Sequence, residues 1–287
     1  MKTYRSLKLI SIANLKEAYE KARKRKSRNQ AVQEFDKHWQ LHLVQLYKEL
    51  KTGTYSPKPL KTFILRDPKT RTISVSDFRD RVVHHALVNV LQPIFEPRFI
   101  VDSYASRKGK GTTAALDRFY LFLRQVTRNG RVLRGAENKN TVVGFAFKAD
   151  IKSYFDSVDH DVLFGILSKR VKDESVLWLI QKILDNYTSG TSGKGMPLGN
   201  WTSQFFANVY LNELDQFVKH QLKAKYYLRY VDDFIIVHSS KITLQEYEHR
   251  VRDFLRTLKL ELHPTKCKIF PLGGGRACLD SAHFTTI

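Results

Sequence analysis

At 287 residues, with 42% hydrophobic and 12% aromatic residues, the chain can bury a substantial core and is too apolar to be a disordered polypeptide. Lys and Arg number 49 against 28 Asp and Glu, and the resulting formal charge of +21 points to a polyanion and to salt-dependent nucleic-acid binding. An anionic membrane is the weaker alternative, because no basic amphipathic anchor helix stands out.

The chain order begins with helical spacing over about 12–52: Leu15, Ala18, Tyr19 and Ala22, then Phe35, Trp39, Leu43 and Leu46, with a break near Ser27-Arg28-Asn29. The basic run Lys21–Arg28 has the composition of a nuclear signal and equally that of a solvated helix face. Gly53, Pro57 and Pro59 mark a loop. Strands are expected at Lys61–Leu65 and Arg71–Val75 around a turn at Asp67-Pro68-Lys69-Thr70, and a helix over Arg79–Leu91 that Pro93 and Pro97 stop. His84 and His85 are read as packing residues of that helix. A basic glycine loop, Ser106–Thr112, precedes a helix of about 113–127; its spacing is not that of a Walker A loop. A polar hairpin or loop over Thr127–Asn140 leads to a strand, Val142–Ala149. Helices follow at Val158–Ser168, Val176–Tyr187 and about 201–220, then a hairpin through residues 226–237, a helix near Leu244–Leu258 and a strand near Cys267–Phe270. Strands and helices mix without βα alternation, so the expected class is α+β with an antiparallel sheet. Cys267 and Cys278 belong to no Cys/His cluster, which argues against a zinc module. With no 18-residue apolar run and no secretory leader, the expectation is a soluble, cytoplasmic chain with no membrane partner.

Two acidic loci carry the chemistry. In Tyr230-Val231-Asp232-Asp233, strand formers on both sides leave the two carboxylates at a hairpin turn. Acidic turn residues are common, but an adjacent pair also suits hard divalent cations. In the second locus Asp150 ends an apolar strand and is followed by Tyr154 and Phe155. An acid at a strand end and an acid pair in a hairpin can converge on two cations roughly 3.5–4 Å apart if the strands are neighbours.

With both loci the chain resembles the palm of reverse transcriptases. The resemblance implies right-hand fingers and palm, with Asp150, Asp232 and Asp233 as catalytic carboxylates and ligands of two Mg²⁺ ions, Mn²⁺ being possible. Asp233 has the supporting role, and the Ile151 carbonyl is an added ligand. Phe155 matches the aromatic gate that excludes a ribose 2′-hydroxyl, the other reading being a core Phe, with Tyr154 then in play. Arg71, with Lys69 and Arg66 as weaker choices, matches the hairpin that clamps the dNTP triphosphate. The Asp80–Leu87 run and the segments Gln92–Glu96 and Asp102–Arg107 are similar to bacterial and group II intron-type enzymes. Arg107, Lys108 and Lys110 are expected on template phosphates. Lys266 matches a lysine that protonates the pyrophosphate leaving group; a plain phosphate contact or surface lysine is the competing reading.

Gly195-Met196-Pro197-Leu198-Gly199-Asn200-Trp201-Thr202-Ser203-Gln204 narrows the branch. Where most reverse transcriptases carry Gln between the Pro and the second Gly, and a Ser-Pro ending, this chain has Leu198 and Ser203-Gln204, which looks like the diversity-generating retroelement branch. Leu198, Gly199 and Gln204 then line the nucleotide pocket. Losing an amide there weakens discrimination, so error-prone copying opposite adenine is expected. The implied partners are template RNA, primer or cDNA, dNTPs and the basic accessory protein of such systems. The domain expectation is a basic helical extension over 1–52, fingers over about 53–140, and a palm over about 141–270 with some interleaving. An atypical tail over 271–287 is expected to lack the primer-grip turn and helical thumb, as a truncated or frame-shifted end would. Two other functions compete: a group II intron, retron or phage-defence reverse transcriptase, and a thumbless remnant that binds RNA without catalysis.

Overall fold

A computed structural model of the protein describes residues 9–66, 70–133, 141–187 and 189–273. The fold is α+β with antiparallel sheets. In chain order it opens with α1 (Ile12–Arg23), α2 (Gln30–Lys37) and α3 (Trp39–Thr52). Ser11 caps α1 by accepting from the Asn14 N–H, Asn29 caps α2, and α3 ends at Gly53, whose φ of 74° is the left-handed turn that suits glycine. A two-stranded ribbon, β1 (Lys61–Arg66) and β2 (Thr70–Val75), leads to α4 (Phe78–Phe95). Then come α5 (Thr112–Thr127), the short ribbon β3 (Val132–Leu133) and β4 (Thr141–Val142), β5 (Phe145–Asp150), α6 (Tyr154–Ser157), α7 (His160–Ser168), α8 (Glu174–Asp185) and α9 (Trp201–Gln216). The chain continues with β6 (Tyr226–Tyr230), β7 (Asp233–His238), α10 (Lys241–Thr257) and β8 (Lys268–Pro271).

Contacts divide the chain into two units, each made of two stretches. The first comprises Met1–Arg98 and Phe155–Val209. There Tyr19, Phe35, Trp39 and Phe78 form an aromatic cluster, with Tyr19 stacked on Trp39 at 5.5 Å. The buried Asn14 amide donates to the carbonyls of Leu9 and Ala86, tying α1 to α4. Asp80, fully buried, accepts from the Tyr55 hydroxyl and the Lys58 N–H and pairs with Arg79, fixing the chain that leaves α3 against α4.

The second unit comprises Phe99–Tyr154 and Tyr210–Ile287 and holds a four-stranded sheet of order β6-β7-β5-β8. Period-two alternation gives the sheet two faces. Ala146, Leu228, Ile235 and Val237 pack under Phe119, Phe122 and Val126 of α5. Phe147, Tyr227 and Phe234 point the other way and meet edge to face.

Several expectations are corrected. The helix from Phe78 runs through Pro93 to Phe95, because a proline in the last turn removes one hydrogen bond where few remain to lose. The strand expected from Val142 begins at Phe145: Gly144, at φ 116°, breaks it, and Val142 pairs with Val132 instead. A Cβ at Gly144 would lie 2.9 Å from both Leu272 and Val126, so the break allows close packing. The α-helix from Trp201 ends at Gln216 and widens into a π-helical turn over Phe217–Gln221. α8 and α10 begin two to three residues early because Asp173 and Ser240 cap them. No helix among the described residues is long and apolar enough to cross a membrane.

Candidate active site

Antiparallel pairing in the second unit builds the acidic centre. Asp150, the last residue of β5, lies directly opposite Asp233, the first of β7. Directly opposed residues leave the same face of the sheet, so two carboxylates face each other where like charges are destabilising. Both are buried, at 9% and 5% exposure. Asp232 occupies the turn between β6 and β7, and its carboxyl is pushed up to about 7. Burial is the main cause, the neighbouring Asp233 and Asp150 add to it, and its own backbone N–H and Lys266 oppose it. The Lys266 ammonium donates to Asp150 Oδ2 at 3.1 Å. The Asp150 carbonyl accepts from the His263 N–H, and Ile151, buried, bridges to Leu262, so the strand end is held on its far side.

The donor set, three carboxylates under mutual repulsion in a dry setting, fits hard divalent cations. No group of three His, Cys, Asp or Glu side chains among the described residues is arranged as a ready metal cage. Asp150 and Asp233 face each other, Asp232 is near enough to feel both, and Lys266 is a cationic neighbour of Asp150.

The turn itself is strained. Val231 is β-branched yet sits at φ 53°, a conformation that costs on the order of 1–3 kcal/mol. Arg229, fully buried, donates from Nη1 to the Val231 carbonyl at 2.8 Å and binds Asp215 through Nε and Nη2 at 2.8 and 2.7 Å. Neither Arg229 nor Asp215 stood out in the sequence reading. The available signal was an arginine inside an otherwise apolar strand, which needs a buried partner.

A separate set of expected residues lies in the first unit. The loop Gly195–Asn200 is docked on β2: the Ser74 N–H donates to the Leu198 carbonyl at 2.9 Å, and Asn200 accepts from the Ser76 N–H. Gly199 has φ 115°, and a Cβ there would lie 2.9 Å from Val75 and 3.0 Å from Ile73. Phe155 is buried, and its carbonyl accepts from the Met196 N–H. Arg71 is half-buried on β2, while Lys69 lies outside the described residues.

Also in this unit, Lys21, Lys26, Arg81, His84, His85, Gly199, Asn200, Trp201 and Gln204 line a cavity of about 320 Å³. Burial, then Arg81, holds the Lys26 ammonium below its ordinary range, and neither Lys26 nor Arg81 forms an ion pair with a described residue. His85 stacks on Trp201 at 5.9 Å; burial, then Lys26 and its neighbours, lowers it to about 4. His84 is buried against Thr202 as a packing residue. The sequence reading missed Lys26 and Trp201 here.

The basic loop lies in the second unit, with two of its cations also bonded to backbone carbonyls. Arg107 donates from Nη1 to the carbonyls of Ile100 and Ser103 and covers Phe99, so one arm of its fork is engaged in the fold. Lys110 donates to the Val101 carbonyl and covers Tyr104. Lys108 alone of the three is exposed without a described partner.

A four-stranded antiparallel sheet with an acid pair at one hairpin turn and a third acid on the neighbouring strand is a polymerase-palm arrangement. The chain belongs to the reverse transcriptase family: the family model described as reverse transcriptase (RNA-dependent DNA polymerase) matches residues 57–274. The group II intron-encoded protein LtrA of Lactococcus lactis is 30% identical over 190 residues, 63% of this chain and 29% of LtrA. Protein YkfC of Escherichia coli is 26% identical over 264 residues, 78% of this chain and 66% of YkfC. The chain thus matches under two thirds of the length of either. Telomerase from Candida tropicalis, solved with a fragment of telomeric RNA, aligns at a TM-score of 0.52 and 15% identity over 81% of this chain and 45% of that one, a likeness of fold.

Proposed function

We propose that the chain is an RNA-directed DNA polymerase that adds dNTPs to a primer 3′ end on an RNA template. The observation that carries this reading is Asp150 set opposite Asp233, with Asp232 at the adjoining turn raised by burial and then by both acids. Phosphoryl transfer needs positioning and charge stabilisation more than covalent help, and converging carboxylates beside an ammonium provide for it. Asp150 and Asp232, with Asp233 and the Ile151 carbonyl in support, would hold two Mg²⁺ or Mn²⁺ ions. When bound, the ions neutralise the triphosphate and lower the pKa of the primer hydroxyl. Lys266 gives a proton to the departing pyrophosphate, a role supported by its contact with Asp150. Arg71 and Lys69 clamp the triphosphate, Phe155 gates the sugar, and Leu198, Gly199 and Gln204 line the nucleotide pocket. Fingers over about 53–140 and a palm over about 141–270 are the division that goes with these roles. Template RNA is taken by Lys108 and by the basic cavity of Lys26 and Arg81, where the His85–Trp201 pair offers a stacking surface.

Leu198 and the Ser203-Gln204 ending favour error-prone cDNA synthesis in a diversity-generating retroelement, with its basic accessory protein as partner. The 30% identity to LtrA favours a second reading, an intron-type enzyme. Primer extension on an RNA template with Mg²⁺ or Mn²⁺, with Asp232→Ala as control, tests the activity. No extension by the folded chain, with or without the accessory protein, would leave an RNA-binding remnant. Elevated errors opposite template adenine separate the two active readings.

A further inference from the structure

Asp150 and Asp233 lie on the opposite face of the sheet from the Asp215–Arg229 ion pair. Tyr230 and Asp233 pair across β6 and β7 on the face that carries Asp150, whereas Tyr227 and Arg229 point to the other face, where α9 brings Asp215. The pair is completely buried and every part of it is engaged. Asp215 takes two bonds from Arg229 and a third from the Tyr227 hydroxyl at 2.7 Å, and Arg229 Nη2 also reaches Ser103 Oγ at 3.2 Å. The Arg229 backbone is pinned as well: its N–H donates to the Asp102 carbonyl, and its carbonyl accepts from Tyr104. Burial opposes the guanidinium charge and Asp215 more than offsets it, so the charge persists. Replacing such a pair by apolar residues of similar volume is often neutral or stabilising, so a stability role alone does not account for it.

What an apolar pair could not supply is the remaining bond. Nη1 reaches past Tyr230 to the Val231 carbonyl, the acceptor on the peptide that joins Val231 to Asp232. That peptide follows the residue at φ 53°, where a β-branched side chain would otherwise relax towards extended backbone. We propose that Asp215 and Arg229 act as a positioning pair for the catalytic turn, locking the Val231–Asp232 peptide plane so that the Asp232 carboxylate stays aimed at Asp150. Arg229 touches no reacting atom; it acts through Asp232. This inference rests on the polymerase reading for its consequence in turnover, but the locked turn is measurable without it.

Arg229→Lys is the informative variant, since it keeps a cation against Asp215 while losing the fork that reaches Val231. The expected result is a drop of at least tenfold in kcat for primer extension, with KM for dNTP within twofold. Hydrogen exchange should rise at least tenfold over residues 230–234, with the rest of the sheet unchanged. Because glycine has no left-handed penalty, the kcat loss should shrink to under threefold in a Val231→Gly background. Full activity in Arg229→Lys, or an equal loss in both backgrounds, would overturn the proposal. Should Arg229→Lys not fold, the wild-type chain still decides it: its turn amides must exchange as slowly as those of β6 and β7, and exchange at the rate of an unstructured peptide sinks the idea. A wild-type chain that shows the protected turn but extends no primer would instead defeat the polymerase reading.

Discussion

Lys266 Nζ lies 3.1 Å from Asp150 Oδ2, so the principal acid of the strand end already has a cationic neighbour. This ammonium partly screens the charge cluster and holds Asp232 lower than burial and the other two acids would leave it. Two effects should follow in Lys266→Met. The incorporation rate should fall by about 10²-fold or more, the usual contribution of a positioned acid. The acidic limb of the pH–rate profile should move to higher pH, since Asp232 loses an opposing charge. Single-nucleotide incorporation from pH 6 to 9 checks both; a lower rate with an unmoved acidic limb would reduce Lys266 to a phosphate contact.

Asp232 gives a stability prediction with a definite sign. Its carboxyl rises from 3.8 to about 7 on folding, so the native state binds the proton more tightly than the unfolded chain does. The stabilisation it contributes is complete below pH about 4 and is lost as pH rises through about 7. Asp232→Asn removes the charge, so in the absence of divalent cations it should raise Tm at pH 8 and leave it nearly unchanged at pH 4. Each kcal/mol regained corresponds to about 2–4 °C in a chain of this size. The same variant should lose primer extension, which separates a folding gain from a functional loss.

The legible parts of this chain were those where local pattern and tertiary need agree. The hairpin around Asp232 and Asp233 was readable because Tyr226–Tyr230 and Phe234–Val237 are strand formers, and Asp150 because an apolar strand ends there. Phe35, Trp39 and Leu43 declared helix by spacing, but the series read as continuous is broken at His38, which ends α2 and begins α3. Partnerships across the chain were not legible. The sequence gives no sign that Ile100 and Ser103 offer carbonyls to Arg107, and Arg229 reads as one more basic residue until Asp215 arrives from α9. Charge in a sequence reports composition; whether it faces solvent, an acid or a carbonyl is decided by folding.

Gly199 should not tolerate a side chain. Alanine would sit 2.9 Å from Val75 and 3.0 Å from Ile73 and would have to hold φ 115°, a region L residues avoid. Strain and overpacking together should cost about 1–3 kcal/mol or more. Thermal unfolding should show a Tm several degrees lower, and the Ser74 to Leu198 bond should weaken as the loop lifts from β2. An unchanged Tm would mean that the loop is not held in this conformation.

The Leu198 carbonyl holds the loop to β2 and the side chain is only half-buried, so Leu198→Gln should change the side chain without undocking the loop. Restoring a hydrogen-bonding amide should raise fidelity opposite template adenine several-fold while Tm stays within a degree or two. Sequencing of cDNA copied from a defined RNA measures this directly. Errors that stay at the wild-type frequency would show that Leu198 does not set fidelity and weaken the retroelement reading.

The cavity shared by Lys26 and Arg81 makes the last prediction. Lys26 and Arg81 repel each other and are partly desolvated, and although Asp77 acts on Arg81, an anion between the two cations stabilises both. Trp201 and a largely neutral His85 make an uncharged stacking surface beside them, which suits a nucleobase more than a free phosphate. Lys26→Ala should weaken binding of single-stranded RNA at all sequences alike. It should also flatten the dependence of log K on log salt by about 0.7, the slope for one phosphate contact on a single strand. Trp201→Ala should weaken binding without changing that slope, because stacking releases no counterions. Filter binding or anisotropy from 50 to 300 mM salt distinguishes the two; a flatter slope in Trp201→Ala, or none in Lys26→Ala, would place the RNA elsewhere on this basic surface.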